Sequence, residues 1–203
     1  MTGVIQAGGR NTRMGGQPKA LMEVGGRTII DRVAEVVCAV TDDVLLVTNT
    51  PDLYAGLGLS MVPDVFADGG SLGGIYSGLR AAQRDVAFTV ACDMPFLRPD
   101  VARLVIDRAH EAEVVAPKVG DQFQTLHACY AKSCLPAMEA RLRNGRLKIV
   151  GLLEDVRVLA IAEDEVARLY SPDVVFMNVN TPEELARARA LALTLKVTPC
   201  TTT

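Results

Sequence analysis

Between residues 3 and 19 the chain sets two glycine pairs, Gly8-Gly9 and Gly15-Gly16, among three cations, Arg10, Arg13 and Lys19. Glycine lets backbone N–H groups approach an anion closely, and successive N–H groups form an anion-binding concavity. The cations add the mobile positive charge that a polyphosphate needs and a structural turn does not. Lys19 stands three residues after Gly16 and is followed by Ala20, so this is not a P-loop, and no G-x-G-x-x-G occurs in the chain.

Four other groups are equipped for chemistry. Asp93, in Ala91-Cys92-Asp93-Met94-Pro95-Phe96, either holds magnesium, which takes one or two carboxylates with phosphate oxygens and waters, or forms a turn before Pro95. Asp64, in Val62-Pro63-Asp64, offers the two acceptors that match the N1–H and exocyclic amine of guanine, with Asp68 as its competitor. Gly69-Gly70-Ser71-Leu72-Gly73-Gly74 opens a helix whose N-terminal N–H groups favour an anion, unless its glycines serve packing alone. Asn178 and Asn180, at i and i+2, face the same way on a strand and reach one ligand together, or else they end that strand and help cap the next helix.

These residues need elements that end where they stand. Periodicity predicts strands over 4–7, 44–47, 59–62, 86–91, 114–116, 125–131, 156–161 and 174–177. It predicts helices over 28–40, 52–56, 71–84, 99–109, 133–143, 148–153 and 182–193, the last N-capped by Thr181. This alternation implies right-handed βαβ crossovers and a three-layer α/β/α fold around a mostly parallel, Rossmann-like sheet. Ligands then bind at the carboxyl ends of the strands, where Gly8, Asp64 and Asp93 all fall. Residues 1–193 read as a single domain and 194–203 as a loosely ordered tail.

Composition narrows the class further. The 203 residues suit one domain, and a 49% hydrophobic content without tryptophan points to an aliphatic core. A net charge of −3 argues against a nucleic-acid binder that works by bulk electrostatics. Five cysteines (Cys38, Cys92, Cys129, Cys134, Cys200) form no C-x-x-C, and no apolar leader precedes the first strand, which predicts a reduced, cytoplasmic setting. Cys129 and Cys134 read as buried thiols rather than a redox pair. His110 and His127 lie at no zinc-ligand spacing, and no segment is long enough to span a membrane.

Four motifs occur in order over residues 3–190: Ala7-Gly8-Gly9 with Arg13-Met14-Gly15 and Lys19; Cys92-Asp93-Met94-Pro95; Leu126-His127-Ala128-Cys129-Tyr130; and Asn178-Val179-Asn180-Thr181-Pro182-Glu183. Together they make the chain resemble the molybdenum cofactor guanylyltransferases, which join GMP from GTP to molybdopterin. The resemblance implies the fold of the nucleotide-diphospho-sugar transferases, with Mg²⁺ held by Asp93 as cofactor. It assigns catalysis to Arg13, Lys19 and Asp93. Nucleotide binding falls to Gln6, Ala7, Gly8, Gly9, Lys19, Asn49, Asp64, Gly74 and Asp93, and acceptor binding to Asn178 and Asn180.

GTP and molybdopterin are the implied small-molecule substrates, with transient contacts to cofactor-synthesis or molybdoenzyme-maturation proteins. Two residues depart from the family pattern. Gln6 replaces a leucine, so its amide adds a hydrogen bond or alters base preference, and Thr125 replaces a proline. His127 reads as a structural or pterin-side residue rather than a base. One alternative is a cytidylyltransferase acting on molybdopterin or on a sugar or alditol phosphate, although CTP enzymes tend to read Ala-Ala-Gly where this chain has Ala7-Gly8-Gly9. The other is a non-catalytic nucleotide-binding regulator or cofactor-delivery module.

Overall fold

Ile5 pairs with Leu46 on one side and Val90 on the other, all three wholly buried, and this row marks the centre of the sheet. A computed structural model describes residues 1–8, 18–66 and 68–195. The strands are β1 (Thr2–Gln6), β2 (Glu23–Val24), β3 (Arg27–Thr28), β4 (Asp43–Val47), β5 (Ser60–Val62), β6 (Val86–Ala91), β7 (Val114–Val119), β8 (Gln122–Phe123), β9 (His127–Ala131) and β10 (Val158–Ile161). The main sheet runs β5-β4-β1-β6-β9-β7-β10, with β8 paired to β7, while β2 and β3 form a separate antiparallel ribbon.

Pairings within β5-β4-β1-β6 are parallel, as is β7 with β10. β9 runs antiparallel to both its neighbours. The segment between Val119 and His127 is too short for the crossover of about a dozen residues that a parallel return requires.

Helices cover both faces. α1 (Ile29–Val40), α3 (Pro99–Ile106) and α8 (Pro182–Leu195) pack with Ile5, Phe88 and Val115 on one side. α2 (Gly70–Ala81), α4 (Leu135–Arg143) and α5 (Ile149–Leu152) pack with Val4, Ala87 and Tyr130 on the other. Two short helices, α6 (Glu163–Ala167) and α7 (Pro172–Val175), complete the first layer through Val166 and Val175. α2 lies directly on the sheet because Gly78 has no side chain there; a Cβ would overlap Val4.

Sequence periodicity located the elements well and their ends less well. α2 stops at Ala81 and α3 at Ile106, each three residues short of the expected helix, while α8 continues to Leu195. The expected helix over 52–56 is a 3₁₀ turn, Pro51–Leu57. One expectation fails outright: 174–177 is no strand. Pro172 at the first helical position and Asp173 in the first turn start α7 instead, since proline presets the helical φ where its missing N–H is not needed.

Cys129 belongs to the layer of α1 and Cys134 to that of α2, so the sheet separates them, and both are buried and free. Among the described residues no helix is long and apolar enough to cross a membrane.

Candidate functional site

The parallel strands stay tied together past their last residues. Ala7 N–H donates to Val47 O (2.9 Å), Cys92 N–H to Gln6 O (3.0 Å) and Thr48 N–H to Val62 O (2.9 Å). The loops that follow therefore leave from one edge of the sheet, at its carboxyl ends, and enclose a crevice with two chambers.

The larger chamber, about 500 Å³, lies between the ends of β1, β4 and β5 and the glycine-rich start of α2. Gln6, Gly8, Asn49 and Asp64 line it together with Gly70 and Gly74, and Leu53 and Tyr54 give it an apolar wall. Asn49 and Asp64 hold each other reciprocally. The Asn49 amide donates to Asp64 Oδ2 (3.2 Å), and the Asp64 backbone N–H donates to Asn49 Oδ1 (2.9 Å). Asp64 Oδ1 is buried and has no hydrogen-bond partner among the described residues, while Oδ2, which accepts from Asn49, lies toward Gly8. Burial raises the Asp64 carboxyl above its ordinary pKa, against the opposing pull of the Asn49 amide and the nearby Ser77 hydroxyl. Its competitor Asp68 also lines this chamber but is exposed.

The second chamber, about 320 Å³, shares Gln6, Ala7, Gly8, Tyr54 and Ser71 with the first and adds Lys19, Asp93, Asn178 and Asn180. Here the fold joins residues far apart in the chain. Lys19 Nζ donates to Asp93 Oδ2 (2.9 Å) and to Asn180 Oδ1 (2.7 Å). Asn180 is placed by the start of α8. The Glu184 carboxylate accepts from the N–H groups of Asn180 (2.6 Å) and Thr181 (3.0 Å), and Thr181 Oγ1 accepts from Glu184 N–H (3.2 Å), a capping box. Val179 N–H donates to Asp93 O (2.9 Å), which pins this segment to the end of β6. Asn178 and Asn180 thus line one chamber without a strand to align them.

Asp93 is buried, and its Oδ1 has no partner among the described residues. No group of three or more His, Cys, Asp or Glu residues forms a metal cage among those residues. A lone carboxylate with a free oxygen fits magnesium, whose other ligands are phosphate oxygens and waters, and does not fit a structural zinc.

Gln6 is buried, its carboxamide turned onto the backbone of α2: Nε2 faces Ser71 O (3.2 Å) and Oε1 faces Ile75 N–H (3.0 Å). Gly74 lies beneath that amide. Gly9 and Arg13, like Arg10, fall outside the described residues.

His127 lies outside both chambers. It is wholly buried between the rings of Phe88 (centroids 5.2 Å apart) and Phe176 (5.1 Å). Burial lowers its pKa to about 4, so the ring is neutral, as suits a core residue. Tyr54, which lines both chambers, escaped the sequence reading. Tyr54 follows a parallel strand on a carboxyl-edge turn, the one local cue it carried, and burial pushes its phenol up to about 12.

The fold and this crevice define an α/β protein with a cleft at the carboxyl ends of its parallel strands, where sheets of this kind bind their ligands. The family model of the MobA-like NTP transferase domain matches residues 3–158, more than half of the chain, and the chain belongs to that family. It is 41% identical to a probable molybdenum cofactor guanylyltransferase of Pelotomaculum thermopropionicum, covering 94% of this chain and 93% of the relative. It is also 41% identical to the molybdenum cofactor guanylyltransferase of Desulfosudis oleivorans, covering 94% and 95%.

Among solved structures, molybdopterin-guanine dinucleotide biosynthesis protein A from Archaeoglobus fulgidus superposes with a TM-score of 0.82 at 24% identity, covering 96% of this chain and all of that one (100%). A 2-C-methyl-D-erythritol 4-phosphate cytidylyltransferase from Thermus thermophilus superposes at 0.71 with 20% identity, covering 95% and 98%. At these identities the two structures share the fold and no more.

Proposed function

We propose that the protein transfers GMP from GTP to molybdopterin, with molybdenum bound, and releases pyrophosphate. The observation that carries the reading is the union of Lys19, Asp93 and Asn180 in a chamber open to the Asn49–Asp64 pair. The names of the 41% identical relatives supply the acceptor.

In this reading the base lies in the larger chamber, and the Asp64 carboxylate receives the N–H groups of guanine. The Asn49 amide keeps the carboxylate turned that way. The backbone at Gly8 and the Lys19 ammonium meet the phosphates, joined by Arg13 through its place in the same motif. Their task is to steady the charge that builds on the α-phosphoryl oxygens and on the leaving pyrophosphate. Asp93 would hold Mg²⁺, which when bound neutralises phosphate charge. Asn178 and Asn180 border the side from which the acceptor enters.

The terminal phosphate oxygen of molybdopterin forms a bond to the α-phosphorus of GTP, and the bond from that phosphorus to the β-phosphate oxygen breaks. The nucleophile arrives already negatively charged and needs no strong base, in keeping with His127 sitting neutral in the core.

The reading carries with it a cytoplasmic setting and transient contacts with proteins of cofactor synthesis or molybdoenzyme maturation. A cytidylyltransferase shares the fold, but an acceptor-rich Asp64 suits the N1–H and amine of guanine better than the acceptor edge of cytosine. The test is to incubate the protein with Mg²⁺, molybdate-loaded molybdopterin and either GTP or CTP, and to measure dinucleotide and pyrophosphate. Turnover with GTP is expected. Turnover with CTP alone overturns the base assignment, and nucleotide binding without turnover returns the molecule to a regulatory or delivery role.

A further inference from the structure

Ser71 and Ile75 are spaced as the carbonyl and N–H that an α-helix joins directly. In this protein the Gln6 carboxamide bridges them, Nε2 to Ser71 O at 3.2 Å and Oε1 to Ile75 N–H at 3.0 Å. The reverse amide orientation would set oxygen against oxygen, so the partners dictate which way it points. This splice lays a side chain onto the helix and shares two backbone groups of α2, which stays an α-helix from Gly70 to Ala81. Space for it exists only because residue 74 is glycine: a Cβ there would lie 2.7 Å from one terminal atom of the amide and 2.9 Å from its Cδ. Gln6 and Ser71 border both chambers, and Gly69 and Gly70 border the larger one.

We infer that Gln6 is a positioning residue and not a reader of the base: with Gly74 it sets the glycine-rich edge of α2 on which the nucleotide rests. The donor–acceptor face that would read a base is turned to the helix and satisfied there. Base choice is left to Asn49 and Asp64. Leucine at position 6 could not make this bridge. The inference rests on the crevice binding GTP, and its geometric half stands without that.

Two experiments separate those halves. In ligand-free protein, thermal melts of the unmodified chain, Gln6→Ala, Gly74→Ala and the double variant form a cycle. Gly74→Ala is expected to lower Tm when Gln6 is present, and to lower it far less in the Gln6→Ala background, where no amide is left to displace. Equal effects in both backgrounds overturn the splice. If Gly74→Ala alone fails to fold, recovery of folding in the double variant supports the splice, and continued failure overturns it.

For the nucleotide, calorimetry with Mg²⁺ compares GTP and CTP on the unmodified protein and on Gln6→Leu, below both melting temperatures. Gln6→Leu is expected to weaken both by about tenfold, the scale of one lost buried hydrogen bond. The GTP-to-CTP ratio should hold within about twofold, and in turnover the change should fall on KM more than on kcat. A ratio that collapses makes Gln6 a base reader and overturns the inference, as does unchanged affinity. No GTP binding by the unmodified protein counts against the functional reading while leaving the stability cycle to judge the splice.

Discussion

Asn49 and Asp64, fifteen residues apart on successive strand ends, hold each other by two hydrogen bonds that leave one Asp64 oxygen buried and unspent. The pair is reciprocal: the asparagine amide orients the carboxylate, and its own carbonyl is held by the aspartate's N–H. Asp64→Asn replaces an ionised acceptor with an amide and should weaken GTP binding about 10- to 100-fold, the worth of a hydrogen bond to a charged group. Because burial raises the Asp64 carboxyl, GTP affinity should also fall as pH drops, a slope missing from Asp64→Asn. Calorimetry across pH checks both outcomes.

Lys19 is bound to both Asp93 and Asn180. Lys19→Ala should slow turnover roughly a hundredfold, about 3 kcal/mol of transition-state stabilisation, while the fold persists. Full turnover by that variant would remove Lys19 from the phosphate cradle.

Asp93→Asn should abolish the dependence of turnover on Mg²⁺ concentration along with most activity, with circular dichroism unchanged. An active variant that still titrates with Mg²⁺ would take Asp93 out of the metal site.

His127 predicts an acid sensitivity unconnected to catalysis. Its ring is neutral in the folded chain, with its pKa lowered by burial from 6.5 to about 4, whereas the unfolded chain protonates at the ordinary value. The unfolded state therefore takes up the proton first. This contribution to stability is whole above pH 6.5 and is lost as pH falls toward 4, up to roughly 3 kcal/mol. Denaturant melts of His127→Leu should show a flatter profile over that window.

Gly78 seats α2 on β1, and Gly78→Ala would drive a methyl group into Val4. Overpacking of this kind costs about 1–3 kcal/mol, expected as a fall of several degrees in Tm.

Much of this was legible along the chain because it is written in local patterns. Apolar periodicity placed seven of the eight main-sheet strands, missing only the two-residue β8, Thr181 announced the cap of α8, and the ends of β1, β5 and β6 put Gly8, Asp64 and Asp93 at one edge of a parallel sheet. Motif order alone pointed to the family. The segment 174–177 misled because a short apolar run reads alike as strand or helix, and the choice went to Pro172 and Asp173 upstream.

Only tertiary structure decided which way side chains point once strands from distant parts of the chain lie together. It brought Lys19 to Asp93 and Asn180, sent His127 into the core between Phe88 and Phe176, and turned Gln6 onto α2. Each of these contacts joins residues that no local pattern relates. They form because burying the sheet's two faces fixes the strand order, and the strand order sets who meets whom at its edge.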